Sequence, residues 1–506
     1  MLFSSLFFIY IFLPALFILF YPIKNNAWRR SVLLVFSLVF YAWGEPVFIF
    51  LMLFCVAVNY IFGLAIDSAG SDNVRRALLA AAVAANVAIL VWFKYALWLA
   101  EMYNSLPLAD IPVPSVRLPL GVSFFTFQSM SYTLDVYRRD ARVQRSPWKL
   151  LLYVCLFPQL IAGPIVRYSD IDLQLDDITV APADALDGAY RFTVGLAKKA
   201  IFANALGAAA DSLLGASIAD ASVLGGWAGS LFFAAQIYFD FSGYSDMAIG
   251  LGRMIGFRFL ENFDYPYISS SATEFWRRWH MSLGTFFRDY VYIPLGGNRS
   301  YALRNVFIVW ALTGLWHGAS VNFLCWGLYY GVILILERGA RAAAGKIKLL
   351  RTMRKAPEPP ADPYAFIEDG KEKKPAKRRR SAAGILWQLF VTLVGWTIFY
   401  YTDGFAERVA LLFGGMSVPV YDVFAGSIIL SNLPLLVISL IFCTPVAPAI
   451  GRALFGATIV NEPKPQPDRR YALMRLYRTA ATACLLFAST VSLAGSTYNP
   501  FLYFRF

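Results

Sequence analysis

Two histidines occur in 506 residues, His280 and His317, and both fall within one stretch dense in aromatic and charged side chains. His317 sits in LTGLWHGAS, residues 312–320. Arg299 and Arg304 mark where this apolar segment enters from the basic side, and thirteen helical residues beyond Arg304 is roughly 20 Å of rise. Arg338 brings the chain back, so His317 stands near the turning point of a helical pair. An imidazole at that depth is disfavoured as a cation, and a neutral one can accept a proton from a hydroxyl or thiol. Gly314 and Gly318 flank it, leaving room for a second backbone or a thin substrate. Trp316 and Ser320 are candidate substrate contacts beside it. A histidine hydrogen-bonded between helices for packing alone is the competing reading.

His280 lies in EFWRRWHMSLGTFFRDY, Glu274 to Tyr290. Phe275, Trp276, Trp279, Leu283, Phe286, Phe287 and Tyr290 recur at spacings of three and four, with Arg277, Arg278 and Arg288 opposite. That pattern predicts one amphipathic helix lying in or re-entering the lipid interface. The arginines suit lipid headgroups or a donor's phosphates. His280 borders the apolar stripe, where an interfacial hydrogen-bonding role competes with a chemical one. A further polar group, YFDFSGYSD (Tyr238 to Asp246), interrupts an apolar helix expected from about Gly225 to Gly252. Asp240 and Asp246 are six apart and do not share a helix face. Carboxylates at membrane depth need a partner or a wet cavity. Tyr244 and Asp246 are therefore candidate site residues, and a carboxylate tied to a neighbouring helix is the alternative.

Positioning these groups falls to membrane helices. Apolar residues make up 58% of the chain, charged residues 15%, and mean hydropathy is +0.55. A soluble surface cannot be built from that balance. The apolar runs lack barrel alternation, so the expected fold is all-α and polytopic, with about eleven spans by the length criterion of about 20 residues. The first run, Leu2 to Ile23, has no basic residue ahead of it and no small-residue cleavage site after it, and reads as a retained anchor. Lys24, Arg29 and Arg30, then Arg138, Arg139, Arg142, Arg145 and Lys149, place two connections in the cytoplasm and the N-terminus outside.

Arg338 to Arg380 carries fourteen basic residues against five acidic ones, within a chain of net charge +13. Its Pro, Glu and Lys content predicts a basic cytoplasmic linker, residues 338–383, between a block at 1–337 and a block at 384–506. Such polybasic segments meet anionic lipid headgroups, and a nucleic-acid partner is not expected. A second polar connection runs from Asn461 to Arg470. The five cysteines stand singly in apolar segments, without metal-ligand spacing, and read as small core residues. No internal repeat of the kind found in secondary transporters is evident.

The blocks YFDFSGYSDMAIGLG, ENF, YPYISSSATEFWRRWHMSLGTFFRDYVYIPLGGNR and LTGLWHGASVNFLCWGLYYG resemble the signature segments of the membrane-bound O-acyltransferase superfamily, in its alginate O-acetyltransferase-like and peptidoglycan-acetylating branch. FPQLIAGPIVRY and the terminal NPFLYFRF are similar to the same branch. The resemblance implies a funnel or tunnel through the bilayer of a bacterial inner membrane. It implies acetyl-CoA as a donor substrate, with no tightly bound cofactor, and His317 as catalytic base. His280 would orient donor or acceptor, and Arg277, Arg278 and Arg288 would contact the donor. It also implies a separate periplasmic or extracellular acetyltransferase as partner. Acyl transfer from a phosphopantetheine acyl carrier protein, as in D-alanylation, and a non-enzymatic transporter are the alternatives.

Overall fold

A computed structural model of the protein describes residues 1–351, 381–455, 469–495, 498 and 502. Among them there is no strand. The helices that matter for the site are α1 (Asn26–Gly44), α2 (Ile49–Ser68), α3 (Asp72–Leu90), α4 (Val122–Arg138), α5 (Pro182–Ala197), α6 (Val223–Met254), α7 (Ala272–Trp276), α8 (Met281–Phe287), α9 (Ala302–His317), α10 (Val321–Arg351), α11 (Ala382–Tyr400), α12 (Val423–Phe442) and α13 (Arg469–Gly495). Six stretches are long and apolar enough to cross a bilayer, namely α2, Asp72–Asn104, Val321–Ala343, α11, α12 and Ala472–Gly495. By length and composition, then, the described residues supply six spans of the eleven or so expected. The first apolar run forms a helix only over Phe8–Phe20, which at 1.5 Å per residue falls short of a 30 Å hydrocarbon core. Most of the basic linker and the Asn461 to Arg470 connection lie outside the described residues.

The chain divides into two compact units, residues 1–204, 238–261 and 450–506 in one and 205–237 and 262–449 in the other. In the first unit, α5 and α6 touch backbone to backbone. A Cβ built on Gly195 would stand 2.4 Å from the Gly243 carbonyl oxygen, and one on Gly188 2.6 Å from that of Gly250. Each helix thus presents two glycines seven apart, which keeps the contact on one face over two turns. That approach brings the basic end of α5 against the polar stretch of α6. Lys199 meets Asp240 at 2.6 Å, and Asp246 lies 2.8 Å from Arg191 and 2.6 Å from Lys198. Arg191 also pairs with Glu261. Both carboxylates are thereby tied to a neighbouring element. In the same unit, Asn59 and Asn86 exchange two side-chain hydrogen bonds of 3.0 Å between α2 and α3, and Thr133 of α4 donates to Asn59 at 2.7 Å. Buried polar groups satisfied across helices in this way tolerate an apolar surround.

The second unit is built on the hairpin of α9 and α10. Here too glycines set the distance: a Cβ on Gly327 would lie 2.2 Å from the Trp310 carbonyl oxygen, and one on Gly314 2.3 Å from that of Phe323. Asn322 then donates to the carbonyls of Ile398 and Phe399, both at 3.2 Å, satisfying the otherwise open C-terminal end of α11. At the other end of α10, Glu337 accepts from the Ala272 and Thr273 backbone amides at 2.6 and 3.2 Å and from the Thr273 hydroxyl at 2.9 Å. A carboxylate on the first amides of α7 complements that helix's dipole and fixes where it starts. Cys55, Cys155 and Cys443 are buried as expected, whereas Cys484 is exposed on α13.

Candidate functional site

The expected amphipathic helix over Glu274 to Tyr290 is broken in two. His280 itself adopts left-handed backbone angles, φ 46° and ψ 53°, between α7 and α8. Apolar periodicity survives the break because both pieces turn the same faces inward, which is why spacing alone does not reveal it. The cause lies in the loop at 262–264. The Asn262 carbonyl accepts from the Met281 amide at 3.0 Å, and the Asp264 amide donates to the Arg278 carbonyl at 2.9 Å. These long-range bonds replace helical ones on either side of His280, and offset the cost of a non-glycine residue at positive φ. Arg278 fastens the same loop through an ion pair with Asp264 at 2.6 Å, and reaches back along its own segment to Glu274 at 3.2 Å.

His280 is 2% exposed, and its Nδ1 lies 3.1 Å from the Asn262 side-chain oxygen. It stands outside the six apolar spans, and burial lowers its pKa far below the ordinary histidine value, so the ring is neutral. It lines a narrow, open-mouthed cavity together with Thr273, Trp276, Trp279, Gly284, Trp310 and Thr313. The walls are aromatic: Trp276 packs edge-on against Trp310 and Tyr330 at 4.8 and 4.7 Å.

His317 is the last residue of α9, and Gly318 after it is extended, so the imidazole stands at the turn between α9 and α10, as its position after Arg304 predicts. It is half-buried, with edge-on contacts to Trp326 at 4.9 Å and Phe399 at 5.2 Å. It is not among the residues lining the cavity at His280. The room expected beside it is filled: the Gly314 face is met by the α10 backbone, and a Cβ on Gly318 would stand 2.3 Å from the Phe323 ring. Trp316, 4% exposed, is the link between the two histidines, with ring centroids 5.7 Å from His280 and 4.9 Å from His317. The imidazoles are therefore no further apart than those two distances laid end to end.

Of the remaining predicted residues, Ser320 is half-buried in the same turn. Arg277 is half-buried after α7, and Arg288 is buried with its Nε 2.6 Å from Asp289. Tyr244 and Asp246 belong to the first unit, where Tyr244 is buried and stacked on Phe3 at 4.6 Å and Asp246 is held by Arg191 and Lys198. Sequence reasoning missed Asn262, Thr273, Trp310, Thr313, Asn322 and Phe399. Asn262 was within reach, as part of the ENF block, while the others declare themselves only when α7, α9, α10 and α11 are packed.

The sequence pattern of MBOAT, the membrane-bound O-acyltransferase family, matches residues 77–359, a segment that contains both histidines and the cavity at His280. The chain belongs to the membrane-bound O-acyltransferase family. Within it, the chain is similar to the probable alginate O-acetylase AlgI of Pseudomonas aeruginosa, 42% identical over 353 residues, covering 68% of this chain and 67% of that protein. It is 34% identical over 381 residues to the peptidoglycan O-acetyltransferase of Helicobacter pylori, covering 68% and 72%. A teichoic acid D-alanyltransferase of Bacillus subtilis is 31% identical over 229 residues, covering 42% and 58%. The protein is an O-acyltransferase embedded in a membrane through several apolar helices.

Proposed function

We propose that this O-acyltransferase moves an acetyl group from cytoplasmic acetyl-CoA to an extracytoplasmic cell-envelope polymer, with His317 as the base. The observation that carries the reading is His317 at the α9–α10 turn, one tryptophan away from a buried, neutral His280 that lines a cavity. The similarity to an alginate O-acetylase and a peptidoglycan O-acetyltransferase supports acetyl as the group carried. In the step itself, the acceptor hydroxyl oxygen attacks the thioester carbonyl while His317 takes its proton. The new ester C–O bond forms, the C–S bond breaks, and the imidazolium returns the proton to the departing thiolate. His280 orients one of the two substrates. Arg277, Arg278 and Arg288 lie on the donor's route, with Trp316 and Ser320 at the transfer point.

In this reading the site sits in a funnel through the inner membrane, within a core of about eleven spans whose shorter or more polar helices complete the six apolar ones. A periplasmic or extracellular transferase receives the acetyl group, and Arg338–Arg380 rests on anionic lipid. The test is release of free CoA from acetyl-CoA by purified protein in vesicles supplied with acceptor. His317→Ala lowers turnover at least a hundredfold while the protein still inserts, and undiminished turnover refutes the base assignment. The D-alanyltransferase relative favours a second reading, with a charged carrier protein as donor. Turnover with a loaded carrier, and none with acetyl-CoA, decides for it.

A further inference from the structure

Asn262 is 1% exposed, and its side-chain oxygen is the meeting point of three groups: the Ser282 amide at 3.3 Å, the Ser282 hydroxyl at 2.9 Å and His280 Nδ1 at 3.1 Å. A backbone N–H can only donate, so the atom it meets is the amide oxygen and not the amide nitrogen. An amide oxygen carries no proton. The proton between Asn262 and His280 therefore belongs to Nδ1, and a neutral ring protonated there holds its lone pair on Nε2. The Ser282 hydroxyl agrees with this: it spends its proton on the same oxygen, so a lone pair is what it turns toward Nδ1, 3.4 Å away. The Asn262 backbone carbonyl also accepts from Met281, so one residue holds both the imidazole and the left-handed turn that aims it.

We infer that Asn262 is a positioning residue that fixes His280 as the Nδ1–H tautomer, making His280 a hydrogen-bond acceptor toward substrate and not a donor. The tautomer follows from the geometry alone, and its use in transfer rests on the function proposed above. An acceptor at Nε2 suits a hydroxyl or thiol proton. It does not suit the carbonyl oxygen of a thioester, which needs an N–H.

With only two histidines in the chain, nitrogen-15 histidine labelling in a His317→Gln background leaves one imidazole to observe. The expected spectrum has Nδ1 protonated and Nε2 unprotonated, and Asn262→Leu shifts the population toward the other tautomer. An Nε2–H ring in the protein with Asn262 intact, or a spectrum unmoved by Asn262→Leu, overturns the inference without touching the transferase reading. Asn262→Asp gives a second readout should Asn262→Leu fail to fold, because it keeps every acceptor position and adds a charge that favours imidazolium. In the same labelled background it raises the pH at which the His280 ring takes its second proton by about one unit or more. A His280 titration unmoved by Asn262→Asp puts residue 262 out of reach of the ring and overturns the inference.

Discussion

His280 combines two demands that ordinarily fall on different residues, a left-handed turn and a buried neutral ring. They separate by substitution. Asparagine tolerates positive φ, so His280→Asn keeps the turn and loses the imidazole, while His280→Val loses both. The expected outcome is that His280→Asn accumulates and stays monodisperse in detergent with turnover sharply reduced, whereas His280→Val also loses stability by about 1–3 kcal/mol in denaturant titration. The ring brings a pH dependence as well. Its folded pKa lies below its unfolded value of about 6.5, so the folded protein resists the proton that the unfolded chain binds. The stability tied to the neutral ring is complete above about pH 6.5 and falls as pH drops below it, by up to about 1.4 kcal/mol per unit. Melting temperatures at pH 7.5 and 5.5 check this: the wild type drops more than His280→Asn, and equal drops remove His280 from the account. At this scale the sequence was legible in part. The types of both histidines and the turning-point position of His317 could be read directly. Which of two occupants fills the glycine space beside His317 could not, because that depends on Phe323 arriving from the next helix.

Among the elements, glycine placement decides which helices touch, and the two units use it alike. Gly314 and Gly327 bring α9 and α10 together so closely that a methyl group on either strikes a carbonyl oxygen. Gly314→Ala and Gly327→Ala each cost roughly 1–3 kcal/mol or more, since backbone cannot yield as a side-chain tip can. Gly284 is the contrasting case, because it lines the cavity and a Cβ there meets nothing within 4 Å. Gly284→Ala leaves the melting temperature unchanged or slightly raised, and a loss of several degrees contradicts the open space seen there. The two aspartates of α6 follow the same rule of contact. With Lys199 and Asp240 both almost fully buried, Asp240→Ala strands the lysine's charge and costs about 3–5 kcal/mol. Sequence reading gives a carboxylate tied to another helix as one alternative and assigns no particular residue as its partner. Lys198, Lys199 and Arg191 acquire that role only once the Gly188/Gly195 and Gly243/Gly250 faces are matched. The broken helix at His280 escaped for a related reason, since periodicity is a local signal and Asn262 acts from eighteen residues away.

Across the molecule, hydropathy located the helices that face lipid and undercounted those that face protein. Asp72–Asn104 is strongly apolar and Ala472–Gly495 just meets the apolar criterion, and only 11% of each best window is buried inside the protein, so most of each surface is left for lipid. α4 is the opposite case. Fourteen of its seventeen residues are buried, including Ser123, Thr126, Gln128, Ser129, Ser131, Thr133 and Asp135, so its composition fails the apolar criterion, and neighbouring segments supply partners for several of these groups: Asn59 for Thr133, Tyr153 for Ser131 and the Ser169 amide for Asp135. Seventeen residues rise about 25 Å, close to the hydrocarbon thickness, so α4 is long enough to cross while shielded by protein. The charges at its two ends give the direction: Arg117 alone precedes it within a dozen residues, whereas Arg138, Arg139, Arg142 and Arg145 follow. Ser115 and Asp140 are exposed at those ends and suit cysteine substitution in a background without the natural cysteines, of which Cys484 is exposed. In intact spheroplasts a membrane-impermeant maleimide labels Ser115→Cys at once and Asp140→Cys only after permeabilisation. Labelling of both from the same side means that α4 does not cross, and the count of spans must then be made up elsewhere in the chain.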